Sequence, residues 1–204
     1  PVKKIAHIAR KKGIATLVDG AQAVGQFPID INDLGCDAYS ASLHKWILAP
    51  SGTGFLFINK NSLKYFKSPF GGDSLTVKGQ FNPPGTKDLP VRAAIYDALR
   101  FIDSIGIKNI EKRCRYLSDY LKSSLKGMGR VKLLSGNSKQ SAPGSTIFEM
   151  DGVDAIEAVQ AFEDRIQFYI DEHQRDGHNA IRISTHFYNS ISEIDQLINQ
   201  LKKL

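Results

Sequence analysis

Short apolar runs, each ended by a polar residue or a glycine, divide the first 60 residues of the chain. Runs at residues 14–18, 36–42 and 54–58 have the length and composition of buried strands. Residues 2–12 repeat apolar side chains at helical spacing, and Gly13 is placed to end that helix. The alternation of strands and short helical turns predicts parallel strands with right-handed crossovers.

The second half of the chain shows two long helical patterns and then shorter elements of both kinds. Residues 91–105 and 107–126 have the apolar period of helices, and Cys114 lies near the apolar stripe, which favours a packing role. Ser190 and Glu193 have the spacing of a capping box and predict the start of a last helix. The remaining predicted elements are a helix at 153–164 and strands at 131–135, 145–150, 166–171 and 180–185.

These elements predict an α/β protein with two parts. Residues 1–105 would form part of a large domain with a parallel sheet, and residues 106–204 a small α+β domain. Residues 67–90 are rich in glycine and proline without a sustained period, which is typical of a functional or disordered loop.

Composition and charge exclude several classes of protein. The 204 residues are 42% hydrophobic and 24% charged, as in ordinary globular proteins, and no apolar run approaches the roughly 18 residues of a membrane span. The net charge of +6 is spread along the chain with few interleaved aromatic residues, so solvated helix faces explain it better than nucleic-acid binding. The two cysteines, Cys36 and Cys114, have no metal-ligand spacing and suit a reducing, cytoplasmic compartment. His173 and His178 do not form a convincing metal site.

Two charged residues stand at the ends of predicted strands. Asp19 closes the first run, and Lys45 follows the second. Ligands of open α/β sheets bind beyond the carboxyl ends of the strands, so we expect both residues at one partly dry rim. A lysine amine reacts with the aldehyde of pyridoxal phosphate, and a carboxylate keeps the ring nitrogen of that cofactor protonated. The alternative is an aspartate in an ordinary turn and a lysine in an exposed loop.

The wider sequence resembles the class V aminotransferase family of fold-type-I pyridoxal-phosphate enzymes, and is most similar to its isopenicillin N epimerase branch. The resemblance extends in order along nearly the whole chain. The segments that carry it are Val18–Gln22, Ser42–Trp46, Ala49-Pro50, Gly52–Leu56, Gly85–Asp88, Ile181–Ser184, Tyr188–Ser190 and Glu193–Asp195.

The resemblance implies roles for individual residues. Lys45 would form the Schiff base with pyridoxal 5'-phosphate and move the proton at the α-carbon of an amino acid substrate, and Asp19 would hold the ring nitrogen. Gln22 would bind the phenolic oxygen of the cofactor, and Ser42 and His44 its phosphate. Two further residues have implied roles: Arg182 in binding the substrate carboxylate, and Thr86 in reaching the cofactor phosphate of the neighbouring subunit of a homodimer.

Two departures from the family pattern bear on the reaction. Lys87 replaces the usual arginine, and an ammonium does not reproduce a guanidinium fork. The loop before Arg182 has no cysteine to carry a persulfide, and Cys36 and Cys114 fall in predicted elements. The residues therefore favour the epimerase-like branch. The alternatives are a desulfurase-like carbon–sulfur lyase without a persulfide cysteine, and a non-catalytic module.

Members of this family are roughly twice as long as this chain, and the resemblance begins in the middle of their large domain. The sequence therefore resembles the C-terminal half of such an enzyme. We expect the chain alone to bind the cofactor poorly, since the upstream half normally supplies the phosphate cradle and the side chain that stacks on the ring.

Overall fold

The computed structural model describes residues 1–68, 80–81, 85–86, 88–136 and 141–204. The chain divides into two compact units, a first unit at Pro1–Ile107 and a second unit at Lys108–Leu204. Within the described residues, every helix is too short or too polar to span a bilayer.

The first unit contains a three-stranded sheet with β1 (Leu17–Asp19), β2 (Ala38–Ser42) and β3 (Gly54–Ile58) in that spatial order. Strands β1 and β2 run parallel, with Asp19 opposite Ser40. The helices of this unit are α1 (Val2–Lys11), α2 (Ile31–Leu34), a 3₁₀ helix (Lys60–Tyr65) and α3 (Leu89–Ile105). The predicted helix over residues 2–12 is confirmed, and Gly13 follows it with a φ of 69°.

Two predictions about this sheet were wrong. Strand β3 runs antiparallel to β2, with Ser42 opposite Gly54, because the connection over residues 43–53 contains no helix that could carry the chain back across the sheet. Strand β1 begins at Leu17 instead of Ile14, and it is not a buried strand, since Leu17 is 63% exposed. The reason is that β1 pairs with β2 on one side only among the described residues.

A small apolar cluster joins the helices of the first unit to its sheet. Tyr39 and Cys36, with exposed fractions of 2% and 1%, pack with Ala6 of α1. Helix α2 is fixed at both ends, because the Asp30 carboxylate accepts from the backbone of its first turn and Gly35 ends it in the left-handed region. The crossover between β1 and β2 is thereby held against the sheet.

The second unit is an antiparallel sheet with helices, in spatial order β4, β5, β7, β6. Helix α4 (Ile107–Lys126) begins at the boundary between the units. The other elements are β4 (Val131–Leu133), β5 (Ser145–Met150), α5 (Ala155–Ile166), β6 (Asp171–His173), β7 (Ala180–Ser184) and α6 (Ile191–Leu201).

The core of the second unit confirms the apolar faces that the sequence predicted. The apolar side chains at helical spacing on α4 and α6 are buried, and all of them except Ile110 belong to one core cluster with Phe148 of β5 and Phe162 of α5. These side chains are Ile110, Leu117, Leu121 and Leu125 of α4, and Ile194, Leu197, Ile198 and Leu201 of α6.

Two further predictions concern strand and loop boundaries. The predicted strand at 166–171 was wrong, because α5 continues through Ile166 and the strand β6 is Asp171–His173. The predicted loop over residues 67–90 lies mostly outside the described residues, and α3 already begins at Leu89 with the Asp88 carboxylate as its cap. The assignment of the two units to domains of a larger enzyme stays a prediction.

Candidate active site

The turn that carries Asp19 is fixed by short backbone contacts. The Asp19 carboxylate accepts a hydrogen bond from the Ala21 amide at 2.9 Å, and the Gly20 amide donates to the Ser40 carbonyl at 2.7 Å. A Cβ atom on Gly20 would lie 2.0 Å from the Tyr39 hydroxyl oxygen, so a glycine is needed where the turn crosses that ring. The chain therefore leaves β1 immediately after Asp19 and leaves its carboxylate exposed.

Ser42 ends β2, and the following turn carries His44, Lys45 and Trp46. A His44 ring nitrogen, Nδ1, lies 3.2 Å from the Thr53 carbonyl oxygen, and the Thr53 hydroxyl donates to the Pro50 carbonyl at 2.7 Å. These bonds fold the connection between β2 and β3 back on itself. Lys45 is held on this folded connection.

The Asp19 turn and the Lys45 turn are in direct contact. The indole Nε1–H of Trp46 donates to the side-chain oxygen of Gln22 at 3.0 Å. Gly25, at a φ of 95°, lies so close to Trp46 that a Cβ atom would be 2.7 Å from the Trp46 carbonyl carbon. Both turns also follow the carboxyl ends of parallel neighbouring strands. The structure therefore brings the segments of Asp19, Gln22, Ser42, His44 and Lys45 to one edge of the sheet.

This edge is more open than the sequence predicted. Asp19, Gln22 and His44 are exposed, and Ser42 and Lys45 are half-buried. The Lys45 amine has no hydrogen bond or ion pair to any described residue. The amine is therefore available to a ligand.

Arg182 lies in the second unit, on the face of the sheet opposite the core residues Ile181 and Ile183. Its Nη2 donates to the carboxylate of Asp171, which is its register partner on β6. Its Nε atom is buried and has no hydrogen-bond partner in the described part of the chain. The guanidinium thus has one ion pair and further donors that are not used.

The structure describes little of the surroundings of Thr86 and Lys87. Thr86 is exposed and follows Gly85, which has a φ of 108°. Lys87 lies outside the described residues. The role that the resemblance implies for Thr86 stays a prediction.

The two thiols are buried. Cys114 lies in α4, whereas the prediction that Cys36 lies in a strand was wrong, because β2 begins at Ala38 and Cys36 lies in the connection between α2 and β2. Cys36 is 1% exposed and Cys114 is 0% exposed. Burial raises the pKa of the Cys36 thiol above its ordinary value and raises the pKa of Cys114 to about 11. The described residues contain no group of three or more His, Cys, Asp or Glu side chains that could hold a metal ion.

Sequence reasoning missed the residues that join the two turns. Trp46 was noted as part of a motif but was given no role, and Gln26 was not singled out. Gln26 is fully buried and its amide donates to the Gln22 carbonyl. A polar side chain four residues after Gln22, in a turn rich in small residues, was the available signal.

The description of the family model that matches residues 1–197 is "Aminotransferase class-V". The chain belongs to the class V aminotransferase family. Isopenicillin N epimerase of Amycolatopsis lactamdurans is 28% identical over an alignment 222 positions long that covers 100% of this chain and 56% of the relative. A probable cysteine desulfurase of Halalkalibacterium halodurans is 30% identical over an alignment 225 positions long that covers 100% of this chain and 54% of the relative. The chain thus spans about half the length of the curated relatives it matches.

Solved structures confirm the predicted fold class. The apo cysteine desulfurase of Thermococcus onnurineus NA1 has a TM-score of 0.83 at 23% identity, over 99% of this chain and 55% of that chain. A mutant of the cystine C–S lyase C-DES has a TM-score of 0.83 at 25% identity, over 98% of this chain and 56% of its own. In that structure, glycine is covalently linked to the PLP cofactor. The family and this neighbour support the prediction of pyridoxal phosphate as the cofactor.

The residues at the edge of the sheet fit this group. Pyridoxal phosphate needs an amine for its aldehyde and an acid for its ring nitrogen. Lys45 offers an amine without a partner among the described residues, and Asp19 offers a carboxylate on the adjoining turn. The amide of Gln22 lies between them in the chain and is fixed by Trp46.

Proposed function

We propose that this chain carries the lysine of a pyridoxal-phosphate-dependent enzyme that acts on an amino acid at its α-carbon, in the manner of isopenicillin N epimerase. The observation that carries the proposal is the direct contact between the Asp19 turn and the Lys45 turn, through Gln22 and Trp46. A lone aspartate turn and an unrelated lysine loop would not need this contact.

Pyridoxal phosphate supplies an electron sink that stabilises negative charge at the substrate α-carbon. Lys45 would hold the cofactor covalently and, once released by the substrate amine, would remove or return the α-proton. Asp19 would keep a positive charge on the ring nitrogen, and its carboxylate is exposed and is oriented by one hydrogen bond from the Ala21 amide. Gln22 would donate to the phenolic oxygen.

The other site residues would bind the cofactor phosphate and the substrate carboxylate. Ser42 and His44 would contact the cofactor phosphate, and the bond between His44 and the Thr53 carbonyl favours a fixed ring. Arg182 would bind the substrate carboxylate with its guanidinium, and the resemblance supports this role. Thr86 would reach the phosphate of the neighbouring subunit in a homodimer, and the resemblance alone supports this.

The relatives also include probable cysteine desulfurases, which makes a carbon–sulfur lyase the rival reaction. A persulfide carrier needs an accessible thiolate, and both thiols of this chain are buried with raised pKa values. Sulfide release and epimerisation measured on the same amino acids in the complete enzyme distinguish the two. Release of sulfide without epimerisation would contradict the epimerase-like proposal.

Replacement of Lys45 tests the proposal directly. In the complete enzyme, Lys45→Ala should abolish the visible absorbance band of the lysine-bound cofactor and reduce amino acid turnover by at least about 100-fold, as loss of a general base does. Lys60→Ala is the matched control, because Lys60 is exposed on the 3₁₀ helix of the same unit. Retention of the band and of turnover in Lys45→Ala would disprove the role of this lysine.

A further inference from the structure

Trp46 has a hydrogen bond that decides which way the Gln22 side chain faces. An indole N–H is a donor only, so the amide atom opposite it at 3.0 Å must be the oxygen of Gln22. The NH₂ group of the Gln22 amide therefore points away from the indole. The orientation follows from the chemistry of the donor and does not depend on how an amide is assigned.

The hydrogen bond between Trp46 and Gln22 lies in a protected environment. Trp46 is 3% exposed, so water has little access to its indole N–H and competes little for this hydrogen bond. Gly25 brings the backbone of the Asp19 turn against Trp46, and Gln26 donates to the Gln22 carbonyl. The backbone of Gln22 and one end of its side chain are thus fixed by separate contacts, although the residue itself is exposed.

We propose that Trp46 is a positioning residue that holds the Gln22 amide with its NH₂ group turned outward, as a preset donor to an anionic oxygen of the cofactor. The inference rests on the proposed function for the identity of that oxygen. Without the indole, the amide could rotate and present its own oxygen, which repels a phenolate. A donor that is already oriented costs less to order when the ligand binds.

The first measurement needs no cofactor. Trp46 is the one tryptophan of the chain, so the 204-residue protein gives one indole N–H resonance. Gln22→Ala should move this resonance towards the position of a solvated indole and speed its exchange with water by about tenfold or more, as expected for loss of about one hydrogen bond. Gln196→Ala, on the exposed face of α6 in the second unit, is the control and should leave it unchanged. An unchanged resonance in Gln22→Ala would overturn the proposal.

The second measurement uses the holoenzyme. Trp46→Phe keeps an aromatic ring and removes the donor, and it should raise the pH midpoint of the cofactor absorbance by about half a unit to one unit, since a donor to the phenolate is lost. In a Gln22→Ala background, Trp46→Phe should have no further effect on the midpoint, because the two residues act as one unit. A general loss of packing would lower thermal stability without this dependence on Gln22.

The outcomes separate the two proposals. If the wild-type holoenzyme shows no cofactor band, the proposed function fails, and the positioning role fails with it. If the band is present but Trp46→Phe leaves its midpoint unchanged, or shifts it equally with and without Gln22, the positioning role is overturned and the proposed function stands.

Discussion

At the scale of single residues, the structure shows which charged groups are committed to folding and which remain available. Asp37 is buried at the start of β2, and its carboxylate accepts hydrogen bonds from Ser62 and from the backbone and hydroxyl of Thr16. Burial acts to raise the pKa of Asp37, but the hydrogen bonds from Ser62 and Thr16 outweigh it and lower the pKa below its ordinary value. Lys45, by contrast, has no such partner among the described residues.

Replacement of Asp37 should destabilise the folded protein in a pH-dependent way. We expect Asp37→Asn to lower the free energy of unfolding by about 2 kcal/mol at neutral pH, since hydrogen bonds to a charged acceptor are lost. A carboxyl with a lowered folded-state pKa stabilises the protein above its unfolded pKa of about 4, and this contribution disappears as the pH falls through the folded value. Urea unfolding should therefore show the difference between the two proteins shrinking as the pH falls below about 4.

Asp33→Asn is the matched control for Asp37. Asp33 forms an exposed ion pair with Lys3, so its replacement should change the unfolding free energy by less than about 1 kcal/mol. Equal losses for the two variants would contradict the structural role of Asp37.

Arg182 allows a test that separates substrate binding from an ion pair in the sheet. In the complete enzyme, Arg182→Lys should raise KM for the amino acid about 10- to 100-fold, because an ammonium cannot form a bidentate pair with a carboxylate. The cofactor band should stay as in the wild type. Arg165→Lys, at an exposed position on α5, serves as the control.

If Arg182 serves only its ion pair with Asp171, the result is different. Arg182→Lys would then leave KM unchanged and alter only the stability of the sheet.

At the scale of helices and strands, the sequence was a reliable guide to features that involve only neighbouring residues, such as caps and helix periods. The predicted capping box is confirmed, because the Ser190 hydroxyl accepts from the Glu193 amide and the Glu193 carboxylate accepts from the Ser190 amide at 2.7 Å. The helix over 107–126 is confirmed with the same bounds. The end of α5 was misplaced because Gln167, and not a glycine, takes the left-handed conformation that ends it, at a φ of 54°.

Loss of the cap should cost a measurable part of the stability of α6. Ser190→Ala should lower the free energy of unfolding by about 1 kcal/mol in thermal or urea denaturation. Ser192→Ala, at an exposed position of the same helix, should stay within about 0.5 kcal/mol of the wild type. A loss of equal size in Ser192→Ala would assign the effect to helix composition instead of the cap.

At the scale of the whole molecule, the distribution of thiols bears on the reaction. The chain has two cysteines, and both are described, buried and free. A thiol reacts as its thiolate, and a buried thiol with a raised pKa is largely protected from reagents. The protein therefore has no thiol that is prepared to accept sulfur from a substrate.

Thiol titration of the 204-residue chain tests this. The reduced native protein should give no fast-reacting thiol with an aromatic disulfide reagent at about pH 8, and two after unfolding in guanidinium. One fast thiol in the native state would reopen the desulfurase-like reaction. Cys36→Ser and Cys114→Ser would then identify it.

Local chemistry allowed the sequence alone to specify much of this protein. The helices α1, α4 and α6, the caps and the inward faces follow from periods and spacings within a few residues, and the family follows from ordered motifs that include Asp19 and Lys45. The tertiary structure decided what depends on distant parts of the chain. These features are the antiparallel direction of β3, the ion pair of Arg182 with Asp171, and the bond from Trp46 to Gln22. A donor and an acceptor 24 positions apart leave no local pattern, because only the folded sheet brings their turns together.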